Sequence, residues 1–254
     1  MLLSAITTVY NCERFIAEAL QSLINQSFQD FELIIVNDGS TDHTWDIVSN
    51  TQFSFPIKLV NNSDNKKIPT RRNEAIKIAD GKYIAICDGD DISLPKRFAK
   101  QINYLENNAD IDFIGGHAVK IDESGKELGM MSYPPEDNKR IINSILLINH
   151  MNPLIDPTMM FKRATFNDLG GYALRTDIYT APDFNLWCRA LLSGCQFYNL
   201  QEPIIKYRDN LQSMTNNKKE EMIRAHVIVR REFLIEYSKK QTVKFLKRKN
   251  DVNK

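Results

Sequence analysis

The sequence predicts an α/β fold: a parallel or mixed sheet with helices on both faces and a helical extension at the C-terminal end. Three observations carry that prediction. Tyr83-Ile84-Ala85-Ile86-Cys87 is an unbroken apolar run of strand length, which fits a strand buried on both faces. It passes directly into Asp88-Gly89-Asp90-Asp91, so these acids lie at the carboxyl end of the strand, where open α/β sheets place their ligands. Two earlier apolar runs, residues 2–9 and 31–36, flank an amphipathic helical pattern and also end in polar residues, giving a strand–helix–strand unit.

The elements follow in order. Residues 2–9 read as the first strand, which Tyr10-Asn11 ends. Phe15, Ile16, Ala19, Leu20, Leu23 and Ile24 recur at helical spacing and form a face that packs on the sheet. The second strand, 31–36, runs into Asn37-Asp38-Gly39-Ser40-Thr41-Asp42. A helix from Thr44, a short strand at 57–60 and a polar loop come next. Arg71-Arg72-Asn73 opens a helix that Gly81 closes, just before the acidic strand. Ser93 and Pro95 have the chemistry of a helix start. That helix leads to the apolar residues 111–114 and then Gly115-Gly116, and 119–127 reads as a strand and turn. Residues 138–148 pattern as a helix, 158–161 as a strand and Gly170-Gly171-Tyr172 as a turn. Asp183 heads an apolar helix with Leu186, Trp187, Ala190 and Leu191. A last strand at 204–208 enters a polar loop over 209–217, and from Lys218 a helical stripe runs through Met222, Ala225, Val229, Phe233 and Tyr237.

Three strand ends thus deliver Thr8, Tyr10 and Asn11, then Asp38, then the acids of 88–91 to one edge of the sheet. Asp88 and Asp90 are two apart, so in an extended chain both face one side, and Gly89 leaves room for a ligand beside the backbone. Hard carboxylate oxygens suit Mn2+ or Mg2+. On its own the segment reads equally as an acidic turn ahead of a capped helix. Asp38 has an Asx-turn alternative in the same way, and Asp183 a helix-cap alternative. Arg71 and Arg72 at a helix N-terminus oppose the helix dipole, a conflict that a bound anion would relieve.

Composition narrows the function classes. Lys and Arg number 33 against 32 acids, a formal charge of +1, which leaves no global case for a nucleic-acid partner. Cys12, Cys87, Cys188 and Cys195 show no Cys-x-x-Cys or zinc spacing and read as reduced thiols of a cytosolic protein. Neither a secretory leader nor a membrane-spanning run is expected. His43, His117, His150 and His226 show no ligand spacing.

Several motifs in order then resemble the family-two inverting glycosyltransferases of the GT-A fold, a Rossmann-like nucleotide-binding mixed sheet. They are Thr7-Thr8-Val9-Tyr10-Asn11, the stretch QSFQDFELIIVNDGSTD ending at Asp42, Arg72-Asn73, GKYIAICDGDD ending at Asp91, PDFNLWCR from Pro182 to Arg189, and the segment from Tyr207-Arg208 to Thr215. The resemblance implies a GT-A domain over 1–216, with a nucleotide-sugar-binding half at 1–115 and an acceptor-binding half at 116–216, followed by a C-terminal helix and basic tail at 217–254. It implies a nucleotide-sugar donor, foremost a UDP-sugar, and a saccharide or lipid-linked saccharide acceptor in cell-surface polysaccharide synthesis. It places the nucleotide against Thr8, Tyr10, Asn11, Glu13, Asp38, Arg71, Arg72, Asp88 and Gly89, the metal on Asp90 with Asp88, and the diphosphate near Tyr207, Arg208, Ser213 and Thr215. Asp183 takes the part of the base that deprotonates the acceptor. The sequence departs from the family pattern at Thr8, where many members have proline, Asn37 (aspartate), Pro182 (an acid) and Asn210 (histidine).

Other classes fit less well. A nucleotidyltransferase or dinucleotide-binding oxidoreductase needs a glycine-rich loop after the first strand, and residues 7–13 contain no glycine. An inactivated transferase fold serving as a carbohydrate-binding or scaffold module would not need Asp38, Asp90 and Asp183. The basic end, with Lys239, Lys240, Lys244, Lys247, Arg248 and Lys249 around Val243, Phe245 and Leu246, reads as a solvated tail or as a patch for the anionic inner face of a membrane, at roughly 1 kcal/mol per basic residue.

Overall fold

The computed structural model describes residues 1–147, 152–210 and 217–252, with side chains to residue 244 in the last helix. Its elements are β1 (Leu3–Val9), α1 (Ile16–Ile24), β2 (Phe31–Asp38), α2 (Thr44–Asn50), β3 (Ile57–Asn62), α3 (Ile68–Lys77), β4 (Tyr83–Ile86), β5 (Ile92–Ser93), α4 (Arg97–Asn107), β6 (Phe113–Ile121), β7 (Glu127–Met131), α5 (Asn138–Leu146), a 3-10 turn (Asp156–Thr158), β8 (Met160–Lys162), α6 (Arg163–Asp168), α7 (Pro182–Ser193), β9 (Phe197–Arg208) and α8 (Lys219–Val252).

The strands form one mixed sheet in the order β3-β2-β1-β4-β8-β6-β9-β5, with β7 paired on β6. The first four run parallel, β8 lies antiparallel between β4 and β6, and β9 returns parallel to β6. Alternate residues of the apolar strands feed two cores. Ile6, Ile34, Ile84 and Ile86 face α3, α6 and α7, while Ala5, Leu33, Ile35 and Ala85 face α1 and α4. That two-sided burial is why β2 and β4 are continuous apolar runs rather than alternating ones. α8 lays Ala225, Val229 and Phe233 on the α7 side, and the His226 ring stacks on Phe184 at 5.1 Å. Among the described residues no helix is long and apolar enough to cross a membrane.

The glycines account for most of the differences from the sequence reading. β6 runs straight through Gly115-Gly116, so the border placed after residue 115 falls inside a strand. A Cβ on Gly115 would stand 2.3 Å from Asn199 Oδ1 and 2.7 Å from Met159 Sδ; the glycine serves close packing. α3 begins at Ile68 with Pro69 in its first turn, one turn earlier than expected, and ends at Lys77 before reaching Gly81. Gly81 is instead pressed on β1, where a Cβ would stand 2.4 Å from Ser4 N and 2.6 Å from Leu3 C. Because both neighbours are backbone atoms, Gly81→Ala is expected to lower stability by about 3 kcal/mol. Urea unfolding checks this, and a loss below about 0.5 kcal/mol would show that β1 yields there. Ser93 caps no helix: it lies in β5, paired to β9, and its Oγ accepts from Arg97 Nη1 at 3.0 Å.

Candidate active site

The charges after β4 demand neutralisation, and three buried arginines from three elements provide it. Arg72 of α3 donates from Nη2 to Asp88 Oδ1 at 2.8 Å and from Nη1 to Asp156 Oδ2 at 2.5 Å. Arg97 of α4 sits beneath the loop, donating from Nη2 to the Ile86 carbonyl at 2.7 Å; burial lowers its pKa, against the charges of Asp91 and Asp88. Arg208 ends β9 with its backbone N–H on Asp91 Oδ1 at 2.8 Å and its Nε on the Asp90 carbonyl at 2.8 Å. Its Nη2 reaches Glu18 Oε2 at 2.5 Å and its guanidinium lies 4.8 Å from the Phe15 ring centroid.

The acids still repel one another. Burial first, and then Asp88, pushes Asp90 up to about 6. Asp91 is driven further up by burial and by both neighbours, and its Oδ2 is buried without a partner. Gly89 gives no opening to a ligand, contrary to expectation. A Cβ there would come within 3.2 Å of both Val9 Cγ1 and Cys12 Sγ, so the glycine lets the acid loop press on β1 and α1. Among the described residues no three His, Cys, Asp or Glu side chains converge as a metal-binding group.

The loops after β1 and β2 are stitched together. Asn11, in the left-handed region at φ 47°, donates its N–H to Ser40 Oγ at 3.0 Å and accepts Thr41 N–H at 2.8 Å. Cys12 N–H meets Thr44 Oγ1 at 2.8 Å. Glu13 accepts His43 N–H at 2.8 Å, while its own N–H goes to Asp42 at 3.1 Å; the carboxylate expected at the nucleotide thus braces the second loop. Thr8 lies opposite Val36 near the end of β1, and Tyr10 stands clear with its ring half exposed.

Asp38 accepts from Lys66 N–H at 2.7 Å, Lys67 N–H at 3.0 Å and Arg71 Nε at 2.7 Å. Arg71 spends its other donors on Asp64 and Glu74, so its fork clamps the 64–67 loop instead of reaching towards a diphosphate. Arg208 is likewise turned inward. Its neighbour Tyr207 points to the opposite face, against the Ala118, Ile155, Ile204 and Ile205 cluster. Ser213 and Thr215 lie outside the described residues, as does His150.

Across the same edge Asp183 sits in the first turn of α7, where the helix N-terminus favours a negative charge. Its Oδ2 accepts from Asn152 Nδ2 at 2.6 Å. Burial raises its pKa, against the Phe184 N–H and the positive field of Arg72, and the charge of Asp88 adds to the rise. Asp156, pushed up to about 7 by burial despite Arg72, feels both Asp183 and Asp88. Tyr133, with 41% of its surface still exposed, is raised by the loss of hydration on its packed side and then by Asp183. The acid loop and the α7 carboxylate therefore share one electrostatic neighbourhood, bridged by Arg72. Sequence reasoning did not pick out Arg97 or Tyr133, and Asn152 and Asp156 fell only within the 149–156 loop, read from its position alone as a lining of the acceptor pocket. Their one signal was polar residue type, which surface positions share.

The pattern of Glycosyl transferase family 2 matches residues 4–170. The chain belongs to that family. It is 33% identical over 210 residues to the putative glycosyltransferase EpsE of Bacillus subtilis, covering 82% of this chain and 73% of the relative. It is 30% identical over 223 residues to the UDP-Glc:alpha-D-GlcNAc-diphosphoundecaprenol beta-1,3-glucosyltransferase WfaP of Escherichia coli, covering 88% and 83%. The S. aureus TarS structure in complex with UDP-GlcNAc superimposes with a TM-score of 0.67 at 22% identity, over 83% of this chain and 59% of that one. The mannosyltransferase PcManGT from Pyrobaculum calidifontis, in complex with GDP-Man and Mn2+, gives 0.62 at 16% identity, over 94% and 64%. These likenesses show the GT-A fold, in which the family 2 chain places its acid loop and Asp183 at the carboxyl edge of the sheet.

Proposed function

We propose that this family 2 glycosyltransferase is metal-dependent and inverting, and that it moves a sugar from a UDP-sugar to a saccharide or lipid-linked saccharide acceptor. The observation that carries this reading is the separation of tasks at one edge: a crowded carboxylate pair on the β4 loop, and a lone carboxylate at the start of α7, with Arg72 between them. UDP as the nucleotide is supported by the donor in the WfaP name and by the TarS complex, and polysaccharide synthesis by relatives named for O-antigen and teichuronic acid biosynthesis.

The donor set fits a divalent cation. Asp88 and Asp90 offer hard oxygens, and the repulsion that lifts Asp90 to about 6 is what a cation would relieve. When bound, Mn2+ or Mg2+ on Asp90 and Asp88 would offset the charge that develops on the departing diphosphate. The remaining work falls to the chain's own residues. Tyr10 presents a ring on which uracil stacks. Asp38 has three acceptor positions filled and one left for the uracil imide N–H. Arg72 orients Asp88 and spreads positive charge towards the leaving group. Asp183 takes the proton of the acceptor hydroxyl as it attacks the anomeric carbon opposite the leaving group, which inverts that centre.

Because a proton and the cation compete for Asp90, manganese-dependent UDP binding is expected to weaken as pH falls through about 6. Calorimetry between pH 5 and 8 (about the range spanned by ordinary and raised carboxylates) checks the sign; affinity that holds or rises towards acid would count against Asp90 as a ligand. The overall reading is tested by thermal shift with UDP-, dTDP- and GDP-sugars, each with and without manganese. The largest stabilisation is expected from a UDP-sugar with manganese. A shift independent of metal, or a preference for GDP-sugars, overturns the corresponding part.

A further inference from the structure

Residues 152–156 touch both halves of the site. At one end Asn152 Nδ2 donates to Asp183 Oδ2 at 2.6 Å, and Asn152 Oδ1 accepts Leu154 N–H at 3.1 Å. The second bond fixes which way the amide faces, since only its oxygen can accept from a backbone N–H, and this leaves the NH2 group turned to the carboxylate. At the other end Asp156 Oδ2 holds Arg72 Nη1 at 2.5 Å, and Arg72 Nη2 holds Asp88 at 2.8 Å.

The stretch between is anchored. Leu154 and Ile155 are buried in the core. Thr158 Oγ1 donates to the Ile155 carbonyl at 2.6 Å and accepts Gly116 N–H at 3.2 Å, while Gln101 Nε2 donates to the Thr158 carbonyl at 2.8 Å. Ile86 N–H then meets the Met159 carbonyl at 3.0 Å, joining this segment to the end of β4 from which the acid loop departs.

We propose that Asn152 is a positioning residue for Asp183. Its amide holds Oδ2 while the Phe184 N–H acts on the same carboxylate, and the buried segment behind Asn152 holds the resulting orientation at a fixed offset from Arg72 and Asp88. This rests on the reading of Asp183 as the base. The terminal torsion of an aspartate is broad, so a carboxylate held at the helix N-terminus alone would sample more orientations than one also held by Asn152. A neutral amide donor also stabilises the ionised form against burial. The other charged and titratable groups that act on Asp183 or feel its charge are Arg72, Asp88, Asp156, Tyr133 and Tyr172 from neighbouring elements, and Cys188 on its own helix.

The test uses the full chain labelled with carboxyl-13C aspartate, with the Asp183 signal assigned by its loss in Asp183→Asn. In Asn152→Ala the Asp183 titration midpoint is expected to rise by about one pH unit, and in the isosteric Asn152→Asp by more, since a second carboxylate then faces it. Turnover of the UDP-sugar that gives the largest thermal shift is expected to fall about tenfold in Asn152→Ala, with manganese-dependent UDP affinity within about twofold of the parent. An Asp183 midpoint unchanged in both Asn152 variants overturns the proposal, and so does parental turnover in Asn152→Ala. Full turnover in Asp183→Asn overturns the base assignment instead, which the NMR titration of the Asn152 variants distinguishes from a missing contact.

Discussion

Asp183→Asn is expected to cut sugar transfer at least a hundredfold while leaving manganese-dependent UDP binding within about twofold of the parent. The asymmetry follows from where the residue sits. Asp183 opens α7, the acids of the β4 loop hang from a strand on the other side of Arg72, and among the described residues Arg72 is what links the two sets of carboxylates. Asparagine keeps the shape and can still meet the Asn152 amide, so the fold and the donor site stay in place; what goes is the ability to take a proton. The raised pKa of Asp183 suits this work, because a carboxylate lifted above its ordinary value is a better base than a solvated one. The measurement is steady-state release of UDP beside calorimetric titration of UDP with manganese. Turnover close to the parent removes Asp183 as the base; lost UDP binding places it in the donor site.

Asp90→Asn is expected to act in the opposite sense on binding and on stability. Manganese-dependent UDP affinity falls at least tenfold, because one of the two hard carboxylates is gone. The metal-free protein becomes more stable above pH 6. The sign follows from linkage: burial and Asp88 raise the folded-state pKa of Asp90 to about 6, above its unfolded value, so its ionisation opposes folding once pH rises through that range. Asparagine removes the charge and its penalty, on the order of 1–3 kcal/mol at neutral pH. Thermal unfolding at pH 5 and pH 8 (about one unit or more to either side of the raised value) reads the difference. A variant that loses stability at pH 8 and keeps its metal response would reverse both assignments.

The parts of this molecule that repeat a simple physical pattern were legible from residue order. β2 and β4 are buried on both faces and therefore appear as unbroken apolar runs, and the acids that follow them mark the edge of the sheet. Asp183 was placed correctly at the start of its helix because Pro182 and the apolar stripe after it define that start. What failed shared one cause, the approach of segments far apart in the chain. Gly81 reads as a helix stop and Gly115 as the border between two halves, yet each is small because another strand or side chain passes close by. Arg71 and Arg208 are cations near a predicted anion site, and both turn inward to nearby carboxylates and carbonyls. Asn152 and Asp156 meet Asp183 and Arg72 across long stretches of chain, and Arg97 meets the Ile86 carbonyl only when α4 packs beneath β4; no local pattern announces either.

That long-range closure also sets an order of events at the ribosome. Asp91 leaves the exit tunnel 117 residues ahead of Arg208, whose backbone and side chain hold its loop. At roughly 5–20 residues per second this interval is about 6–24 s. Through it the nascent chain carries the β4 acids without the cation that secures them from β9. β8, the strand that flanks β4, emerges only part-way through the wait. The N-terminal strands are available to pair early, but the acid loop cannot gain its Arg208 contacts before the strand ending there has emerged and joined β6.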